Sequence, residues 1–180
     1  MSITIPEGTP TLANTLIKVN PAGDTADRTA PKKATEIDAG TTLHFGCFLY
    51  ADGWTPTAST AKGQARRRLC SPRSAERLNT TTYSIGALQY SHNPKTADSA
   101  PGNEAREAMQ EGLKVDIYEG QGIDGQTGSV TAGDRIRTHW VELGPQIDSG
   151  DQTDENGEFF IMQEVVYVTA DGPIVGIVAP

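Results

Sequence analysis

Histidine and cysteine are the residue types in this sequence best suited to catalysis or metal binding, and their spacing supports neither. His44, His92 and His139 lie far apart in the chain, and Cys47 and Cys70 do not have the spacing of zinc ligands. A cysteine beside a histidine could act as a nucleophile, but no local signature supports such a pair. No G-x-S-x-G segment predicts a nucleophilic serine, and a free thiol in the core is the better interpretation of each cysteine. The sequence therefore predicts no enzyme, and no catalytic, cofactor-binding or metal-binding residues.

Residues 120–125 match the glycine pattern of a dinucleotide-binding turn. That function needs a strand before the glycines and a helix directly after them, whose N-terminal amides meet the pyrophosphate. A strand is predicted before Gly120, but residues 126–133 are poor helix formers. A glycine-rich loop over Gly120–Gly133 is therefore the favoured interpretation.

Two oppositely charged clusters stand out in a chain whose net charge is −8. The basic cluster consists of Lys62, Arg66, Arg67, Arg68, Arg73 and Arg77. The acidic cluster consists of Asp148, Asp151, Asp154, Glu155 and Glu158. Each cluster is typical of a solvated surface, and the acidic cluster is typical of a hairpin tip. The spacing of its acidic residues does not fit an EF-hand calcium site. The alternative hypothesis is that these residues are contacts between copies, in which exposed ion pairs would set register and association rate more than affinity.

Length and composition indicate one domain with one core. The chain has 180 residues, of which 36% are hydrophobic, and this suits a single domain. The acidic balance argues against a protein that binds nucleic acid by neutralising phosphates. No apolar stretch approaches the roughly 20 residues that a membrane-spanning helix needs, and residues 1–10 do not resemble a signal peptide. We therefore expect no membrane partner and synthesis in the cytoplasm.

Alternating apolar residues and frequent glycine and proline predict a mainly β fold with one short α-helix and long loops or arms. We predict a loop at 55–66 and a helix that Asn103 caps and Gly112 ends. The predicted strands are 41–50, 67–71, 76–84, 87–92, 113–118, 134–143, 159–169 and 174–179.

The organisation along the chain is predicted to be a polar N-terminal arm, residues 1–40, followed by a single β-rich domain, residues 41–180. The apolar cluster Leu12–Val19 within the arm could dock as a strand or remain an arm. The strand at 113–118 is expected to be half-buried because its apolar residues alternate. The strand at 159–169 has apolar residues on both faces, so we expect it inside a sandwich or under a partner subunit.

The order of several short motifs resembles a known family. The motifs are Ala51–Pro56 after the first core strand, Arg68–Ser71, Leu88–Tyr90 with Asn93 and Pro94, Ala132–Asp134, Val141–Gly144, Glu155–Glu158, Gln163 and Tyr167–Thr169. In this order, over roughly residues 30–180, the chain resembles the major tail (tail tube) proteins of long, non-contractile-tailed bacteriophages, in particular those of actinobacterial hosts.

The resemblance implies a β-sandwich or barrel-like tail tube fold and a role in the virion tail after assembly in the host cytoplasm. Six copies would form a ring, rings would stack into a tube, and loops or arms would join one ring to the next. The joining hairpin could be Gly120–Gly133 or Asp148–Glu158. The implied partners are further copies of the chain, other tail proteins such as the tape measure, tail tip and terminator, and double-stranded DNA that passes through the lumen without specific binding.

An acidic subunit suits a DNA conduit. Double-stranded DNA carries about one charge per 1.7 Å, and basic contacts would hold it, whereas a negative wall lets it slide. We therefore expect that Arg66–Arg68 do not point into the lumen.

Two other functions remain open on the sequence. The first is another virion part, such as a tail terminator, neck or decoration protein. The second is a carbohydrate-binding β-sandwich, which would need a solvent-facing aromatic platform from Trp54, Tyr83, Tyr90 or Trp140. Aromatic residues in β proteins more often belong to the core.

Overall fold

The computed structural model describes residues 14–21, 32–65, 76–98, 100, 102–126, 128–150 and 157–179. This part of the chain is mainly β, as the sequence predicts, and it contains two short α-helices where the sequence predicts one. The helices are α1 (Ala34–Ile37) and α2 (Glu104–Ala108), and Phe45–Cys47 form a 3-10 turn. The strands are β1 (Thr15–Asn20), β2 (Pro56–Gln64), β3 (Glu76–Ile85), β4 (Leu88–Ser91), β5 (Lys114–Gln121), β6 (Arg135–Gly150), β7 (Phe159–Tyr167) and β8 (Ile174–Ile177).

Six of these strands form one antiparallel sheet that curls into half of a barrel. The strand order is β1-β5-β6-β7-β4. The long strand β6 pairs with β5 along one edge, while β8 and β7 follow one another along its other edge. The remaining strands, β2 and β3, pair only with each other and form a separate two-stranded sheet.

The inner face of the sheet carries the main hydrophobic core. Residues such as Ile117, Val141 and Ile161 alternate along β5, β6 and β7, and Phe45 and Met109 cover them from the 3-10 turn and α2. All of these side chains are buried. The two-residue period of a strand therefore places the apolar residues of neighbouring strands in one layer.

Half of the outer face is also covered. Leu16, Tyr118 and Ile136 pack there against Ile37 of α1 and Val130. Lys18 of β1 donates to Asp38, whose second oxygen accepts from the backbone N–H of Val130. This ion pair joins the end of α1 to the sheet. As a result β5 is buried on both faces, and the prediction of a half-buried strand is wrong.

The other half of the outer face, on β7, is not covered by the described residues. Val166 is 62% exposed there, whereas Ile161 and Val165 on the inner face are buried. Cover on both faces within this subunit is therefore not observed for the strand predicted at 159–169. The second alternative, a partner subunit, stays a prediction.

The strand predicted at 41–50 is wrong. Leu43 forms a bridge with Val19 of β1, and Leu49 forms one with Tyr90 of β4. These partners lie on strands at opposite ends of the main sheet's order, so the segment that joins them cannot pair with one strand along its length. The 3-10 turn between the bridges buries Phe45 and leaves Cys47 exposed. The expected core position of Cys47 is therefore also wrong.

Two further boundaries differ from the prediction. Residues 55–66, predicted as a loop, contain β2, and β6 continues to Gly150 and so includes Asp148 of the acidic cluster. The strand predicted at 67–71, with Cys70, lies outside the described residues. No helix in the described part of the chain is long and apolar enough to cross a membrane.

Helix α2 is shorter than predicted, and Asn103 does not cap it through its side chain. The Asn103 amide instead accepts from the backbone N–H of Asn93 at 2.9 Å and donates to its carbonyl at 3.0 Å. It therefore holds the loop after β4. In the N-terminal segment, the apolar residues Leu16–Val19 dock within β1 beside β5, whereas Leu12 lies outside the described residues. The domain boundary at residue 40 stays a prediction.

Candidate functional site

Strands β2 and β3 form a long antiparallel ribbon that stands apart from the main sheet. Pro56 pairs with Ile85 at one end and Gln64 with Glu76 at the other. Nearly every residue between these ends is exposed, and Leu78 is 72% exposed. Both faces of the ribbon are therefore open to contact.

The ribbon holds its register through polar side chains. The hydroxyl oxygens of Thr60 and Thr81 are 2.9 Å apart, and those of Thr57 and Ser84 are 2.8 Å apart. Hydrogen-bonded threonine pairs across strands stabilise such pairings modestly. Because an isolated two-stranded hairpin is marginally stable at best in water, the ribbon also depends on its attachment to the main sheet.

The end of the ribbon at which Pro56 pairs with Ile85, here called its root, packs against β7. The ring of Tyr83 meets that of Tyr167 edge-on, with 6.4 Å between their centroids, and Ile85 enters the main core. Gly172 has a φ of +70°, and a Cβ atom there would lie 2.4 Å from the Tyr83 ring. Gly172 is therefore required on both conformational and packing grounds. A groove of about 460 Å³ separates the root from β7.

A buried polar network lies beneath this root. The hydroxyl of Tyr167 lies 2.7 Å from Nδ1 of His139, and Nε2 of His139 lies 3.1 Å from Glu119. Arg137 also donates to Glu119, at 3.3 Å, and Trp54 packs edge-on against the imidazole. Each ring nitrogen of His139 therefore has a hydrogen-bond partner.

The network changes the acidity of its members. Burial raises the pKa of Glu119, but the hydrogen bond and the charge of His139, together with the hydrogen bond from Gln121 and the charge of Arg137, outweigh burial, so its net pKa is lowered. Burial, and then the charge of Glu119, raise the pKa of Tyr167 to about 12. At neutral pH the network therefore holds a carboxylate and an un-ionised phenol. Groups of the protein itself account for both pKa shifts.

The acidic hairpin, residues 148–158, joins β6 to β7, and a residue on each of its flanks forms a hydrogen bond with another part of the subunit. Asp148 accepts from Arg106 of α2 at 2.6 Å, and Arg106 also contacts His92 at 2.8 Å. On the other flank, Glu158 accepts from the hydroxyl of Tyr50 at 2.8 Å. Desolvation by burial and this carboxylate raise the pKa of Tyr50 to about 12.

The structure describes only part of the predicted contact residues. Arg77 lies on β3 and is exposed, and it has no ion pair with any described residue. Asp148 and Glu158 lie at the base of the acidic hairpin. The other predicted contacts lie outside the described residues: Arg66, Arg67, Arg68, Arg73, Asp151, Asp154 and Glu155. The sequence analysis predicts β3, as the strand at 76–84, but places a loop where β2 lies. It therefore missed the ribbon, because β2 carries no apolar alternation that could have revealed it.

The described residues offer little for the alternative chemistries. They contain no group of three or more His, Cys, Asp or Glu side chains that could hold a metal ion. No helix begins after Gly125 in the described segments, as the loop interpretation predicts. Tyr90 is buried, and Trp54 and Tyr83 pack edge-on against other rings. A flat, solvent-facing aromatic platform is therefore not formed by these three residues.

Comparison with known proteins identifies a family. The model of a family described as phage tail tube protein matches residues 3–178. This match spans nearly the whole chain. A comparison with individual curated proteins found no match.

Proposed function

Because the chain belongs to the phage tail tube protein family, we propose that it polymerises as stacked hexameric rings into the tube of a long, non-contractile phage tail. The family is one of virion structural proteins and is not an enzyme class. The tube would be the conduit through which DNA enters the host, which we propose is an actinobacterium. The tape measure, tail tip and terminator would be its partners in the tail.

The projecting ribbon is the observation that carries this proposal. Nineteen residues of β2 and β3 leave both faces of a two-stranded sheet uncovered, although such a sheet gains little stability alone. The exposed Leu78 on this mostly polar ribbon offers apolar surface that a partner could bury. A subunit that polymerises provides that partner from its own neighbours.

Charge gives a direction to the contact between rings. The ribbon carries Lys62 and Arg77, which extend the basic cluster along its strands. The described flanks of the acidic hairpin belong to the main sheet, since Asp148 lies on β6 and Glu158 directly precedes β7. We propose that the ribbon of one copy meets the acidic hairpin of a copy in the next ring. Such exposed pairs would set register and association rate, whereas apolar contacts would supply most of the affinity.

The lumen is expected to be negative. With a net charge of −8 per subunit, a wall without free basic groups would repel phosphate and let DNA slide. We therefore propose that Arg66–Arg68 lie at subunit contacts. A ring structure with these guanidinium groups exposed on the bore would contradict this assignment.

Electron microscopy of the purified protein tests the proposal. We expect negative-stain images over a concentration series to contain uniform hollow rings or tubes with six-fold end views. Dispersed monomers at every concentration would favour a tail terminator, neck or decoration protein, and binding on a glycan array would favour a carbohydrate-binding module.

A further inference from the structure

Two exposed apolar patches lie on the main sheet in the described part of the chain. The β8 patch consists of Val175, Ile177 and Arg135. Val175 and Ile177 are 47% and 64% exposed, and Arg135 pairs directly with Ile177 across the strands. Arg135 is exposed and forms no ion pair within the described part of the subunit. This patch is therefore branched aliphatic surface with one free positive charge.

The β7 patch consists of Met162, Glu164, Val166 and Ile147. The first three alternate along one face of β7, and Ile147 of β6 is the cross-strand partner of Met162. Ile147 is 57% exposed and Val166 is 62% exposed. Glu164 is exposed, and no described residue forms an ion pair with it. This patch is therefore apolar surface with one free negative charge.

The two patches lie on opposite faces of one sheet. Arg135 is separated from His139 and Val141 by even numbers of residues along β6, so it lies on the same, inner face of the sheet. Val166 is adjacent to Val165, which belongs to the inner core, so it lies on the outer face. A single subunit therefore cannot bring its own two patches together, and only a second copy can match them.

We propose that the β8 patch of one copy packs on the β7 patch of the next copy within a ring. This inference rests on the proposed function, since it assigns the lateral contact of the proposed ring. The contact joins two different surfaces and is therefore heterologous, and repeated heterologous contacts with a rotation close into a ring. It matches apolar surface with apolar surface and places Arg135 beside Glu164 of the neighbour. It also covers the uncovered half of the outer face.

Charge reversal tests this contact in the full-length protein. Arg135→Glu and Glu164→Arg each place like charges across the contact, which disfavours association strongly. We expect each variant alone to raise the concentration needed for half-assembly at least about tenfold. The double variant restores opposite charges and should assemble again. An equimolar mixture of the two single variants should also assemble, because a ring of six can alternate them.

Sedimentation velocity and negative-stain images provide the readout. Lys95→Glu and Glu111→Arg make the same changes in charge at exposed positions outside both patches, and they should assemble like the wild type. If both single variants form rings as well as the wild type, the lateral contact alone is overturned. The same holds if the double variant and the mixture of single variants are folded but stay monomeric. Wild-type protein that does not associate at any concentration would overturn the proposed function and this contact together.

Discussion

The hydroxyl group of Tyr167 lies 2.7 Å from Nδ1 of His139. The same tyrosine ring also contacts Tyr83 at the root of the ribbon. The contacts therefore run from Glu119 through His139 and Tyr167 to Tyr83 of the ribbon. Tyr167 therefore links the buried network to the root of the ribbon.

Replacing Tyr167 by Phe should weaken this link without removing the ring. The change leaves Nδ1 of His139 unsatisfied in a buried site, and we expect a loss of about 1–2 kcal/mol in the free energy of unfolding. Urea denaturation would measure it. Tyr83→Phe keeps the ring contact and should change the stability by less than about 0.5 kcal/mol. Equal losses in both variants would contradict a specific role for the Tyr167 hydroxyl.

Acid should weaken the fold through Glu119. Its folded-state pKa is lowered from 4.5, so its contribution to stability is present above pH 4.5 and is lost as the pH falls through the folded-state pKa. We expect Glu119→Gln to reduce the acid-dependent loss of the free energy of unfolding in this range. Denaturation curves at several pH values would test this. Glu111→Gln, at an exposed position, should retain the wild-type dependence.

Alternation in the sequence predicts the strands that contribute to the core, because one face of each is apolar. It predicts β3, β4, β5, β7 and β8 within a few residues, and it predicts β6 only as far as Leu143. It does not predict β2, where threonine, serine and lysine occupy both faces. The register there depends on backbone pairing and threonine hydroxyls, which leave no two-residue signal. The segment around Phe45 shows the opposite error, since its alternating residues serve bridges to two different strands.

The buried network could not be predicted from any motif. Glu119 and His139 are 20 residues apart, and His139 and Tyr167 are 28 residues apart. Only the registers of β5 with β6 and of β6 with β7 bring them together. The charged clusters are visible in the sequence because they are local, but their partners depend on assembly.

Gln163 should be one of the most sensitive positions in the core. It is fully buried, accepts from Tyr90 at 3.0 Å and donates to the carbonyls of Met109 and Gly144 at 2.8 Å each. Gln163→Leu removes all three bonds, so that the buried Tyr90 hydroxyl loses its acceptor and the Gly144 carbonyl loses this donor, while Gln146 still donates to the Met109 carbonyl. We expect a loss of about 3 kcal/mol in the free energy of unfolding. Gln89→Leu, at a half-buried position on β4, should have a much smaller effect. Comparable melting temperatures for the two variants would contradict this account.

The ribbon should control stacking and not the folding of the subunit. Leu78 is 72% exposed, so Leu78→Asp should change the free energy of unfolding by less than about 0.5 kcal/mol. In the tube, the same change would place a carboxylate in an apolar contact, and Arg77→Glu would add like charge beside an acidic hairpin. We expect both variants to form single rings and few tubes in electron micrographs. Lys95→Glu, outside the ribbon, should form tubes of wild-type length. Tubes of normal length from both ribbon variants would show that rings are joined by another surface.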